Sequence, residues 1–171
     1  LVDSMKGSRI TLVDIDPDRL EVSRKAIENI NTSVNGRATV EAYLAGDAVT
    51  ALKGADFVVN AIQVGGYEPS TVIDFEIPKK YGLRQTIGDT LGIGGIFRGL
   101  RTIPVMLQYC KMIEKVAPNA LLLNYTNPMA IVTGAILKAT SVRTVGLCHS
   151  VQGCAGHLCR ELDLPHDNLR W

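Results

Sequence analysis

The sequence predicts an α/β fold with a doubly wound parallel sheet. Two observations carry that expectation. Short apolar, β-branched runs alternate along the chain with longer stretches at helical spacing, the βαβα order that sets successive strands parallel. The runs themselves are almost continuously apolar, as strands covered on both faces are.

The first run, residues 9–14 (RITLVD), ends in an acid and reads as a buried strand. Asp16 is placed to cap the next helix with Pro17 in its first turn, and Leu20, Ala26, Ile27 and Ile30 recur on one face. Asn35-Gly36 closes that unit. Residues 39–43 make a second strand, 46–53 a short helix, and 55–61 a third strand that runs on toward Gly65-Gly66. From Gln63 to Ile96 the chain is rich in glycine and broken by one helix over 71–80; connections of that length carry function. A helix over 97–116 despite Pro104, a strand over 120–123, a helix over 128–138, a strand over 142–147 and a helix over 149–162 complete the order. No stretch repeats.

Composition narrows the class. The chain has 171 residues, with 18 Lys+Arg against 17 Asp+Glu, so neither a nucleic acid nor a membrane surface is an expected partner. A hydrophobic share of 46% suffices for a packed core. No apolar run approaches the roughly 20 residues that span a bilayer. Four Cys, three of them crowded between Cys148 and Cys159, do not form the framework of a small secreted domain, and the start lacks a signal-peptide pattern. A cytoplasmic protein with reduced thiols is expected. Neither end reads as a domain boundary, so a fragment is expected too.

Asp14 stands where the second strand of a Rossmann unit carries the acid that binds the adenosine ribose, and Asp16 is the neighbour that could substitute or merely cap. The glycine fingerprint should lie about twenty residues earlier, before the chain begins. Residues 1–171 are therefore expected to be a partial dinucleotide-binding domain, lacking its first strand and reaching a second, catalytic domain near 165–171. In the order 3-2-1-4-5-6 the missing strand sits at the centre of the sheet. At the carboxyl edge, where such sheets bind ligands, Asn124-Tyr125-Thr126-Asn127-Pro128 ends one strand and Gly146-Leu147-Cys148-His149-Ser150 the next. Pro128 would start a helix with Asn127 as its N-cap, the carboxamide at the cleft, or Asn127 would only cap. Asn31 and Asn124 match the N-glycosylation pattern, here by chance. Cys148, Cys154, His157 and Cys159 follow no structural zinc spacing.

Five blocks together resemble glycoside hydrolase family 4, the NAD- and divalent-metal-dependent glycosidases: LVDIDPDRL, VVNAIQVGGYEP, DFEIPKKYGLRQTIGDTLGIGGIFRGLRTIPVM, NYTNPMA and VGLCHS. Within it the sequence is most similar to the melibiase-type α-galactosidases. The resemblance implies a lactate/malate-dehydrogenase-like fold and hydrolysis of α-galactosides by an unusual route, outside the two-carboxylate rule. NAD oxidises the sugar at C3, which acidifies the C2 proton; a base removes it, the leaving group is eliminated, water adds and C3 is reduced again. Mn2+ would stabilise the enediolate as a Lewis acid.

The resemblance also implies roles. Cys148 is the metal ligand, its thiolate favoured by the cation and the adjacent helix start. Asn127 contacts the sugar and lies by the cofactor. Asp14, Asn60, Gln63, Gly65 and Gly66 belong to the cofactor site. His149 is a candidate proton donor or substrate contact, and Asp89 faces the leaving group. Arg98 touches substrate or a neighbouring subunit, or is a surface cation. The second metal ligand and the base of the family lie beyond residue 171, while His157 and His166 are structural or exposed. A dimer or tetramer acting on a small sugar is expected. Two alternatives remain: a lactate/malate-type 2-hydroxyacid dehydrogenase, which shares the strand-end Asn-Pro, and an α-glucosidase or α-glucuronidase of the same family.

Overall fold

The computed structural model describes residues 7–148 and 150–165. Five parallel strands alternate with helices: β1 (Arg9–Asp14), α1 (Pro17–Ser33), β2 (Thr39–Leu44), α2 (Ala48–Leu52), β3 (Phe57–Asn60), α3 (Val72–Lys79), α4 (Gly92–Val116), β4 (Leu121–Asn124), α5 (Met129–Ala139), β5 (Arg143–Gly146) and α6 (Ser150–Glu161). The expected α/β class and strand order are what the chain adopts.

Local chemistry sets the first unit as read from sequence. The Asp16 carboxylate accepts from the backbone N–H groups of Asp18 and Arg19, satisfying two free donors of α1, and Pro17 sits inside the first turn. Two expectations are corrected. Helix α4 begins at Gly92 rather than Phe97, because glycines let it press into the preceding loop: a Cβ on Gly94 would stand 2.3 Å from the Gly88 carbonyl oxygen and 2.8 Å from that of Asp74. Asn127 is not the N-cap of α5. Pro128 takes the extended cap conformation (φ −74°, ψ 109°), the helix starts at Met129, and no side chain caps it.

The core lies between α4, β4 and α5. Met106, Cys110 and Ile113 of α4 pack with Leu122 of β4 and Val132 and Ile136 of α5, all nearly inaccessible to solvent. Burial raises the Cys110 thiol to about 11, so it is an inert apolar filler. Helix α2 joins this core through Leu52 and also touches β1 and β2.

Strand pairing divides into two sheets, β2-β1 and β3-β4-β5. Among the described residues, β1 and β3 each have one edge without a ladder partner, and Phe57 and Val59 of β3 remain 66% and 64% exposed. A single doubly wound sheet would have one more strand between them. Unpaired edges with apolar neighbours are poorly stable in water. The isolated 171-residue chain is expected to melt with little cooperativity and to gain no stability from NAD; a sharp melt that rises with NAD would contradict this.

Candidate active site

The register of the three-stranded sheet builds the site. Asn60, Asn124 and Gly146 stand side by side at the carboxyl ends of β3, β4 and β5. Beyond them, in the same order, lead the loops that carry Gln63, Asn127 and Cys148. Ligand-binding residues of open parallel sheets come from this edge.

Buried carboxamides hold the edge together. Asn60 Nδ2 donates to Asn124 Oδ1 at 2.7 Å, and Asn124 Nδ2 donates to Thr133 Oγ1 at 3.0 Å. Asn124 Oδ1 also accepts from the Thr126 N–H, Asn60 Oδ1 from the Ile62 N–H, and Thr126 Oγ1 donates to the Ile62 carbonyl at 2.9 Å. Asn60, expected in the cofactor site, therefore has its side chain committed within the protein.

The loop after β3 turns sharply at Gly65-Gly66. Gly65 has φ 88°, and a Cβ there would meet Ser70 Oγ at 2.1 Å and Arg101 Cδ at 3.2 Å. Two arginines of α4 fasten the loop. Arg101 donates to the Val64 carbonyl and grips the Asp74 carboxylate through both terminal nitrogens, with Asp74 only 1% exposed. Removing one partner of so buried a pair costs about 3–5 kcal/mol. Arg98 donates from Nε to the Asn127 carbonyl at 3.2 Å and from Nη1 to Thr71 Oγ1 at 3.4 Å.

Four of the expected residues come together here. Gln63 Nε2 donates to Thr71 Oγ1 at 3.1 Å, Thr71 meets Arg98, Arg98 holds Asn127, and Asn127 Nδ2 lies 3.5 Å from Asp89 Oδ2. Freed from capping, the Asn127 amide thus faces a carboxylate, and this pair can donate to and accept from sugar hydroxyls. Cys148 is exposed and lines an open concavity of about 390 Å3 with Cys154, Val151 and Leu158. Among the described residues, no group of three or more His, Cys, Asp or Glu is gathered that could hold a metal ion, and no helix is long and apolar enough to cross a membrane. His157 is exposed; His149 and His166 lie outside the described residues.

Asp14 ends β1, as expected for a ribose-binding acid. Arg19 Nε and Nη2 bond its two oxygens at 2.7 and 2.5 Å, and the Asp16 N–H adds a third contact. The Arg19 guanidinium holds the Asp14 carboxyl at about 2, below its usual range. Asp16 caps α1, the second of the two tasks open to it in the sequence.

Thr71, Asp74, Arg101 and Thr133 were not signalled as site residues by the sequence. Arg101 meets Asp74 and Thr71 meets Arg98 across 27 positions, while Thr133 reaches Asn124 across nine, a neighbour known only from packing.

A doubly wound sheet with an amide, a carboxylate and a thiol at its carboxyl edge defines a dinucleotide-type enzyme domain. The chain belongs to the family 4 glycosyl hydrolases, whose sequence model matches residues 1–164. It is 53% identical to an alpha-galactosidase of Bacillus subtilis (strain 168), covering 99% of this chain and 39% of that protein. Its structure is similar to a 6-phospho-alpha-glucosidase from gut microorganisms in complex with NAD and Mn2+, with a TM-score of 0.79 at 25% identity over 95% of this chain and 36% of that one. The malate dehydrogenase of Picrophilus torridus shares the fold at a TM-score of 0.62 and 20% identity, covering 98% of this chain and 46% of the other. The chain thus spans less than half the length of these relatives.

Replacing Gly65 by alanine is expected to cost roughly 1–2 kcal/mol from the left-handed backbone alone, before any displacement of Ser70; an unchanged urea midpoint would contradict the turn's role. Arg19→Ala should raise the Asp14 pKa from about 2 toward the ordinary carboxylate value of about 4, followed by carboxyl carbon NMR. Because the folded value is depressed, the pair stabilises the fold above the ordinary carboxylate range and the contribution is lost as the pH falls through about 2. An Asp14 titration unmoved by the substitution would show that Arg19 is not its cause.

Proposed function

We propose that the whole protein is an NAD- and divalent-metal-dependent α-galactosidase and that this chain supplies its cofactor-facing half. The observation that carries the reading is the meeting of Asn127 and Asp89 at the end of β4, beside the strand end that bears Cys148. The 53% identity to an alpha-galactosidase supports the galactoside. The guanidiniums of Arg98 and Arg101 bond protein acceptors, which suits an uncharged sugar. The remaining proposed features are a cytoplasmic protein that assembles as a dimer or tetramer.

The residues fit the two groups in part. Asp14 is a half-buried carboxylate at the end of β1, bonded by Arg19, and is the proposed ribose contact; the Gly65-Gly66 turn presents backbone without Cβ bulk. Cys148 offers one accessible thiol for a metal, whose other ligands would come from elsewhere in the protein. When bound, NAD supplies hydride exchange with C3 of the sugar, and the metal supplies Lewis acidity to the neighbouring oxygens. The chain's own residues do the rest. Asn127 orients the sugar by donating and accepting through one planar amide. Asp89, held against that amide, faces the leaving group and its oxygen. Arg98 fixes the Asn127 backbone, so the amide reaches the sugar from a set direction. His149, next to Cys148, is the proposed proton donor or substrate contact.

A dehydrogenase reading has the fold likeness and the strand-end Asn127-Pro128 in its favour but leaves Cys148 without a task. For the full-length protein, p-nitrophenyl α-galactoside hydrolysis should fall to background when either NAD or Mn2+ is withheld, with reductant present throughout. Cys148→Ser should lower turnover by more than about 100-fold, beyond the loss caused by an outer-shell change, while NAD affinity stays within a few fold. Hydrolysis without both cofactors would overturn the mechanism, and equal loss of NAD binding would make Cys148 a packing residue.

A further inference from the structure

We infer that Thr71 is a positioning residue that couples the cofactor-side loop to the substrate-side loop through one hydroxyl. Thr71 is 8% exposed and stands where the turn Gly66–Thr71 enters α3. A threonine hydroxyl has one proton to donate and two lone pairs to accept with. All three are used. The proton goes to the Gly66 carbonyl at 3.4 Å, and the lone pairs take Gln63 Nε2 at 3.1 Å and Arg98 Nη1 at 3.4 Å. Gln63 and Gly66 belong to the loop after β3. Arg98 belongs to α4, and its Nε holds the Asn127 carbonyl in the loop after β4. Near their roots the two loops are joined by Thr126 Oγ1 and the Ile62 carbonyl; farther out, at Gln63 and Asn127, the Thr71 oxygen links them through Arg98.

The neighbouring fastening does not duplicate this link. Arg101 and Asp74 bind Val64 to α4, but neither touches Asn127 or the β4 loop. Without the Thr71 oxygen, Arg98 loses one of its two bonds and Gln63 its protein anchor, while the Arg101 clamp keeps the loop folded. Gln63 is exposed and Arg98 half-buried, so each loses about what an ordinary hydrogen bond contributes. Both loops would then sample other positions, and both ligands would bind to a less prepared site.

The inference rests on the NAD-glycosidase reading for the identity of the two ligands. The test compares dissociation constants of the full-length enzyme for NAD and for galactose, measured by calorimetry and so independent of turnover. Thr71→Val keeps the shape and removes the hydroxyl; it should weaken both constants, by about fivefold each, the change expected when one ordinary hydrogen bond is lost on each side. Thr71→Ser keeps the hydroxyl and should restore both to within about twofold. If the valine variant does not fold, Thr71→Ala is read in its place against the same serine variant. Wild-type constants in the valine or alanine variant overturn the inference, as does a serine variant equally weakened, or weakening of NAD alone. A wild-type enzyme that binds NAD yet hydrolyses no galactoside overturns the functional reading only and leaves the Thr71 comparison standing.

Discussion

The hydrogen bond between Asn60 and Asn124, 2.7 Å long and buried between adjacent strand ends, is the constraint on which the site depends. At the end of a parallel sheet the ladder stops, and the chain must leave in some direction. Here each direction is set by an amide. Asn124 spends both lone-pair directions of its oxygen on Asn60 and the Thr126 N–H, and its NH2 group on Thr133 and the Thr126 carbonyl. Such a network rigidifies when complete, and an unpaired member would carry a full desolvation cost. The loops to Gln63 and Asn127 thus begin from fixed points, joined again by Thr126 and Ile62.

Helix α4 completes what the amides begin. Its N-terminal glycines allow it to approach the preceding loop closely, which brings Arg98 and Arg101 level with both ligand loops. Those guanidiniums are used as struts. With both guanidiniums occupied by protein acceptors, the polar groups left at the proposed ligand edge are an amide, a carboxylate and a thiol.

Much of the fold was legible because it is written locally. Asp16-Pro17 starts α1, and apolar runs mark the strands. The start of α4 was not legible, since Gly-Ile-Gly-Gly reads as loop unless one knows that it packs against Gly88 and Asp74. Asn127 stands at the carboxyl edge where its place in the sequence puts it, but it does not cap α5; an Asn before Pro so commonly caps a helix that only the structure shows otherwise. Thr71, Asp74 and Arg101 were invisible for a different reason. Asp74 meets Arg101, and Thr71 meets Arg98, only across 27 positions, and such polar residues look like solvated surface until the fold packs them.

The chemistry proposed for this edge of the sheet makes one demand that direct displacement at the anomeric carbon does not: the proton on C2 of the sugar must leave and return. Hydrolysis of an α-galactoside in D2O by the full-length enzyme, with NAD and Mn2+ present, isolates that step. Oxidation and elimination predict galactose carrying deuterium at C2, readable by mass and proton NMR. Product that retains protium at C2 through complete hydrolysis would contradict the mechanism and assign the site to ordinary glycosidic displacement.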